Sequence, residues 1–292
     1  MQKDASLQRI DVSLFSLKHT FQSAQPLTFY ADYNETSNTL AYPVHGEIIN
    51  IMYNGTDEKG VLSILSRHNN SASGIFTRFR LEDRMPYIYK KISTDEHISN
   101  AVSLYKGMRL TINDPWETTL TFIISQFNNV KRIRLITKNI IDKFGTPVFN
   151  AKGEIIGKEF PQSGSLLAAS EKDFMALGAG FRSKYIKEAA EYCTYNMNLY
   201  KLSGSNYQKL KDNLMSIKGV GEKVADCIIL MGYGNLEAFP IDVHVKRTME
   251  RLYFKGKKKK LREIQEFAEE EWGKYRGYAQ QYLFHNARTG SR

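Results

Sequence analysis

Two glycines one residue apart, Gly219 and Gly221, stand between two helix-like stretches in Leu214–His244, which reads LMSIKGVGEKVADCIILMGYGNLEAFPIDVH. Glycine accepts positive φ and lets another backbone come close, so the pair predicts a sharp turn joining two helices over 207–232. Leu214, Ile217 and Val220 give that turn a small core of its own. The amides opening the second helix have no internal partner, so they point outward and suit a phosphate. A Gly-x-Gly pair alone mostly punctuates loops. A lysine and an aspartate downstream of the pair narrow the choice.

Lys223 falls in the first turn of the second helix, where the macrodipole disfavours a cation. The same field, with partial burial, favours the neutral amine that a nucleophilic lysine presents. Cys227 lies at i+4 on the same face, and Ile228, Ile229, Leu230 and Met231 continue the helix into the core. Further on, Pro240-Ile241-Asp242-Val243-His244 places an aspartate where a new helix begins. Taken singly, a solvated lysine and an ordinary N-cap aspartate are the commoner readings. Their order behind this turn makes the bland pair insufficient.

The stretch resembles the helix-hairpin-helix, Gly-Pro-Asp signature of base-excision DNA glycosylases. GVGEKVADC followed by PIDVH is most similar to the 8-oxoguanine DNA glycosylase/AP lyase branch. The resemblance implies that Lys223 attacks the sugar C1′ and that Asp242 assists. It also implies duplex contacts at Gly219, Val220, Gly221 and His244, with a structural monovalent or divalent cation at the carbonyls of Met215, Ile217 and Val220. No other cofactor is required on this reading, neither redox group nor catalytic metal.

Composition agrees without deciding. Lys plus Arg outnumber Asp plus Glu by 41 to 31, a net +10 that suits a polyanionic partner and equally aids solubility. Two cysteines, Cys193 and Cys227, rule out a four-cysteine metal or iron–sulfur site. The opening MQKDASLQRIDVSLF lacks the apolar core of a signal peptide, and no run approaches the roughly 20 apolar residues of a membrane span. The expectation is a monomeric intracellular protein without a membrane partner, in the cytoplasm or nucleoid of a bacterium or the nucleus of a eukaryote.

At 292 residues the chain can bury a large core. The fold class expected is α+β: an N-terminal antiparallel sheet domain over 1–110, then a mostly helical region over 111–292. Between Leu14 and Lys90, Leu27-Thr28-Phe29-Tyr30, Ile48–Tyr53 and Val61–Leu65 predict strands. Turn clusters separate them at Asn34–Asn38, Asn54-Gly55-Thr56 and His68-Asn69-Asn70-Ser71. From Ser93 the period becomes helical, and Asp114-Pro115-Trp116-Glu117 predicts a capped apolar helix, similar to the family's Asp-Pro-x-Glu. Another helix is expected to end near Phe144, followed by a Gly-, Pro- and Lys-rich loop over 145–164. The run Lys255–Lys260 reads as a solvated loop between helices.

Three further segments acquire roles through the resemblance, which extends from about Leu17 to Arg288. Phe127-Asn128-Asn129 and Arg132 form a helix junction that would be an ordinary solvated loop; in the family it enters DNA and contacts the base left unpaired by flipping. Phe181-Arg182, after two glycines, resembles the loop that unstacks the site and reads the opposite base, the arginine suiting an unpaired cytosine. Gln280 and Phe284 lie at i,i+4, where the family bonds a flipped base's Watson–Crick edge and stacks on its ring; a core Phe beside a surface Gln has the same spacing.

Two departures qualify the match. The family's Gly-Gln-x-Phe-Arg, whose glycine carbonyl accepts the extra N7 proton of 8-oxoguanine, reads Ala24-Gln25-Pro26-Leu27-Thr28 here. The family's three-asparagine run reads Phe127-Asn128-Asn129, exchanging a hydrogen-bonding plug for a stacking one. The expected function is a bifunctional DNA glycosylase with AP lyase activity, excising 8-oxoguanine from damaged duplex in a pocket bounded by Ala24, Cys227, Gln280 and Phe284. The alternatives are a glycosylase for another lesion, such as an alkylated purine, or a non-catalytic hairpin DNA-binding protein. Intact Lys223 and Asp242 argue against the latter.

Overall fold

Strict alternation along Glu47–Gly55, with Ile49, Ile51 and Tyr53 buried and Asn50, Met52 and Asn54 exposed, gives this stretch one core face and one wet face. It is β4 of the computed structural model, which describes residues 5–68 and 71–290. With β1 (Ser6–Ser13), β2 (Asp32–Asn34), β3 (Thr39–Val44) and β5 (Lys59–Ser66) it forms an antiparallel sheet in the order β1-β5-β4-β3-β2. The turns at Asn34–Asn38 and Asn54-Gly55-Thr56 join strands as expected. Asn69-Asn70 of the third cluster lies outside the described residues.

Three expectations are corrected. Leu27–Tyr30 is not a strand: Pro26–Phe29 forms a buried 3-10 turn with Pro26 at its start. Proline has no N–H for a strand ladder and presets the φ of a first helical turn. The span from Leu14 to Lys90 also holds helices, α1 (Leu17–Gln22), α2 (Ser71–Arg78) and α3 (Met85–Ile92). In α3 the buried residues Met85, Ile88 and Ile92 follow helical spacing, which a short apolar run hides from a sequence reading. The 145–164 loop contains a two-stranded hairpin, β6 (Pro147–Phe149) and β7 (Ile155–Lys158), anchored by fully buried Val148.

The remaining helices follow capped starts. After α4 (Glu96–Leu104), capped by Asp95, comes α5 (Pro115–Ser125), whose first amides at Trp116 and Glu117 donate to Asp114 Oδ1. Next are α6 (Val130–Phe144), α7 (Glu171–Ala176) and α8 (Arg182–Tyr195). The hairpin pair is α9 (Tyr207–Met215) and α10 (Glu222–Gly232), followed by α11 (Val243–Tyr253), α12 (Leu261–Trp272) and α13 (Arg276–Thr289). Helix α13 is buried almost all round and returns to the first part of the chain. There Tyr282 Oη donates to Met108 O at 2.9 Å, and Tyr278 Oη donates to Asp83 at 2.6 Å. No helix among the described residues is long and apolar enough to cross a membrane.

Candidate active site

The turn between α9 and α10 uses its two glycines differently. Gly219 has φ +85, and a Cβ there would meet the Tyr185 side chain at 2.7 Å (Cβ) and 2.8 Å (Cγ), so the fold itself demands glycine. Gly221, the N-cap of α10, has an ordinary φ of −91 and nothing within 4 Å of a Cβ. Its missing side chain therefore leaves open space at the helix N-terminus, where the unpaired amides are.

Lys223, Cys227 and Met231 sit at i, i+4 and i+8 on α10 and line one cleft with residues from distant parts of the chain. The other walls are Ala24 after α1, Phe122 of α5, Pro240 and Asp242 ahead of α11, and Gln280, Gln281 and Phe284 of α13. The cleft measures about 50 Å³. Every residue expected from the sequence to form the pocket lines it, together with Lys223 and Asp242.

The Lys223 ammonium sits 5.2 Å from the centroid of the Phe122 ring, a cation–π contact. Burial pushes the Cys227 thiol up to about 11, while the charge of the neighbouring Lys223 pulls the other way. Cys227 is therefore a neutral wall of the cleft. Asp242 caps α11, its Oδ1 accepting from the Val245 amide at 2.7 Å. Two glutamines fix the segment leading to it: Gln265 Nε2 donates to Phe239 O at 2.9 Å and Gln280 Nε2 to Pro240 O at 3.1 Å. A carbonyl can only accept, so the Pro240 bond sets the Gln280 amide orientation. It leaves Gln280 Oε1 buried with no partner among the described residues, an acceptor waiting for a donor.

Ala24 carries an unexpected backbone. Its φ is +60, the left-handed region that glycine occupies freely and alanine only at a cost of roughly 1–2 kcal/mol. The methyl is thus accommodated without abandoning a conformation suited to glycine.

A second constellation lies where α5 meets α6. Phe127, at φ +47 and 94% exposed, stands 6.2 Å edge-on from the Phe181 ring, itself half exposed. Arg182 holds this loop: Nε donates to Gln126 O at 2.7 Å, Nη2 to both Gln126 O and Phe127 O, and Nη1 to Ala179 O. At 5% exposure, most of its donors are already engaged with backbone. Gln126 Nε2 in turn donates to Gly219 O at 2.9 Å, joining the loop to the hairpin. Asn128 donates to Ile124 O, and Asn129 caps α6 through the Arg132 amide. Exposed Arg132 reaches Gly178 O at 3.4 Å, and His244 is exposed on the first turn of α11.

Sequence reasoning missed Phe122, Gln126 and Gln265. Phe122 lies in a helix buried on nearly every side, its threonines included, so periodicity cannot say which face meets the cleft. Among the described residues, no group of three or more His, Cys, Asp or Glu could hold a metal ion.

Comparison with known proteins agrees with this geometry. Residues 120–274 match the HhH-GPD superfamily of base excision DNA repair proteins, and residues 8–119 match the N-terminal domain of 8-oxoguanine DNA glycosylase. An N-glycosylase/DNA lyase of Saccharomyces cerevisiae is 30% identical over 242 residues, covering 70% of this chain and 64% of the yeast protein, so this chain spans less than two thirds of that relative. A probable N-glycosylase/DNA lyase of Methanothermobacter thermautotrophicus is 30% identical over 232 residues, 72% of each chain. The Clostridium acetobutylicum 8-oxoguanine glycosylase/lyase, solved with double-stranded DNA containing cytosine opposite 8-oxoguanine, superposes with a TM-score of 0.87 at 29% identity over 100% of both chains. The chain belongs to the 8-oxoguanine DNA glycosylase family of the helix-hairpin-helix base-excision repair superfamily.

Proposed function

We propose that the protein is a bifunctional DNA glycosylase/AP lyase that flips 8-oxoguanine out of damaged duplex, excises it and cleaves the strand at the abasic site. The observation that carries this reading is the single cleft gathering Lys223, Asp242, Cys227, Gln280, Phe284 and the Ala24 backbone. A water needs roughly 10–15 Å³, so about 50 Å³ holds only a few, and a base enters as the walls part. Phe284 and Cys227 then face the ring, and the orphaned Gln280 Oε1 accepts from its Watson–Crick edge. Having passed its ammonium proton to the departing base, the Lys223 nitrogen donates its lone pair to C1′ as the glycosidic bond breaks and the base leaves with the bonding electrons. Asp242 stabilises positive charge developing on the sugar. Opening of the sugar gives a Schiff base on Lys223, β-elimination expels the 3′ phosphate, and water releases the lysine.

Phosphate contacts fall to the hairpin amides, independent of sequence. The carbonyls of Met215, Ile217 and Val220 are the oxygens that would hold a cation there. Ile217 O already accepts from Val220 N at 3.0 Å, whereas no backbone amide among the described residues donates to the other two. Such neutral oxygens suit a hard cation, whose charge would bridge protein and phosphate. Phe127 and Phe181 are the paired wedge at the vacated site. Arg182 can offer an opposite cytosine only the donors its carbonyl bonds leave.

Excision from a panel of lesion duplexes tests the reading. Release of 8-oxoguanine supports it, and release of alkylated purines alone overturns it. Gly221→Val is expected to cost about 1 kcal/mol through a weaker N-cap, yet to weaken binding to lesion and undamaged duplex alike. A loss confined to lesion DNA would place the hairpin nearer the base pocket. Ala24→Gly should raise stability by up to about 1 kcal/mol, left-handed strain relieved less the extra unfolded-state entropy, with 8-oxoguanine excision preserved or improved. Thermal melts and excision rates check both parts.

A further inference from the structure

The left-handed Ala24 is a strained residue, and such residues persist only where their surroundings over-determine them. Three carbonyls run in sequence here. That of Gln22 accepts from Arg288 Nη2, and that of Ser23 accepts from buried Gln281 Nε2 at 2.7 Å. Among the described residues nothing donates to the third, that of Ala24. On the far side, Gln25 Nε2 donates to Ser23 Oγ and Arg109 O at 2.8 Å each, and its Oε1 accepts from the Thr111 amide at 2.7 Å. The chain is bolted before and after Ala24, and the one carbonyl left unbonded belongs to a residue lining the cleft.

We infer that Gln281 and Arg288 are positioning residues for base recognition, holding the Ala24 backbone so that its carbonyl is presented to the flipped purine. The inference rests on the proposed function and deepens it. Guanine carries a lone pair at N7 where 8-oxoguanine carries N–H, so a fixed acceptor attracts one and repels the other. Its placement sets discrimination between them. An abasic site has no base to read, so strand cleavage there does not use this carbonyl.

The test compares each variant with wild type on three duplexes, carrying 8-oxoguanine, guanine or a preformed abasic site. Gln281→Met keeps the volume and removes the donor. It should lower 8-oxoguanine excision about tenfold more than it lowers abasic-site cleavage, the scale of one misplaced hydrogen bond, and narrow the preference over guanine. Arg288 is exposed, so Arg288→Met keeps the fold and decides the matter should Gln281→Met not fold. It should shift the same ratio in the same direction by a few-fold, an order set by one charged donor. Equal losses in both activities, or ratios within about twofold of wild type, overturn the inference. A wild type that leaves 8-oxoguanine in place fails in its own arm, which marks the functional reading as the error and removes this inference with it.

Discussion

Lys223→Gln should abolish covalent trapping of the protein on lesion-containing duplex by borohydride and lower excision by about 10³-fold or more, some 4 kcal/mol of barrier. The fold should not suffer. Losing the cation–π contact to Phe122 costs ~0.5–1 kcal/mol. Removing a cation from the first turn of α10 returns a similar amount. Lys223→Arg should not rescue trapping, because a guanidinium stays protonated and lacks the lone pair. Duplex binding should survive both changes, since the hairpin amides are untouched. Undiminished trapping in Lys223→Gln would move the nucleophile elsewhere.

Asp242→Asn separates two jobs of one side chain. Its Oδ1 caps α11 at the Val245 amide, and asparagine caps a helix as well as aspartate does. Stability should therefore stay within about 0.5 kcal/mol, while excision falls roughly 10²–10³-fold because the charge opposing the developing sugar cation is gone. Asp242→Ala should lose the activity and also about 1 kcal/mol of stability. Full activity in the asparagine variant would reduce Asp242 to a cap.

The sequence is most legible where a local rule acts alone. The hairpin over 207–232, the cap at Asp114 and the cap at Asp242 each derive from one or two residues whose backbone preference brooks little argument. The i,i+4 pairs Lys223/Cys227 and Gln280/Phe284 place both halves of the cleft for the same reason. Short apolar runs are where it falters. Leu27–Tyr30 looks like a strand until Pro26 is weighed, and α3 and the β6–β7 hairpin are too brief for a period to show. The conformation of Ala24 lies beyond sequence reasoning altogether. Nothing in an alanine announces φ +60, which is imposed by partners at Gln281, Arg109 and Thr111 far along the chain. Arg182 teaches a similar lesson: its residue type advertises a reader of bases, and the three-dimensional setting employs it on carbonyls first.

The bond from Gln281 to Ser23 spans 258 residues, and it closes the same cleft that Lys223 occupies. A ribosome releases the chain from its first residue onward, so α9 and α10, which pack on each other, α10 also on the earlier α5, can pair while α13 is still being made. At that stage the hairpin could already grip a phosphate, but the wall bearing Gln280 and Phe284 does not exist. On the proposed function, grip therefore precedes chemistry during synthesis. A half-made chain has no pocket in which to mistake an undamaged base for a damaged one, and the delay comes from the long loop that the last contact must close.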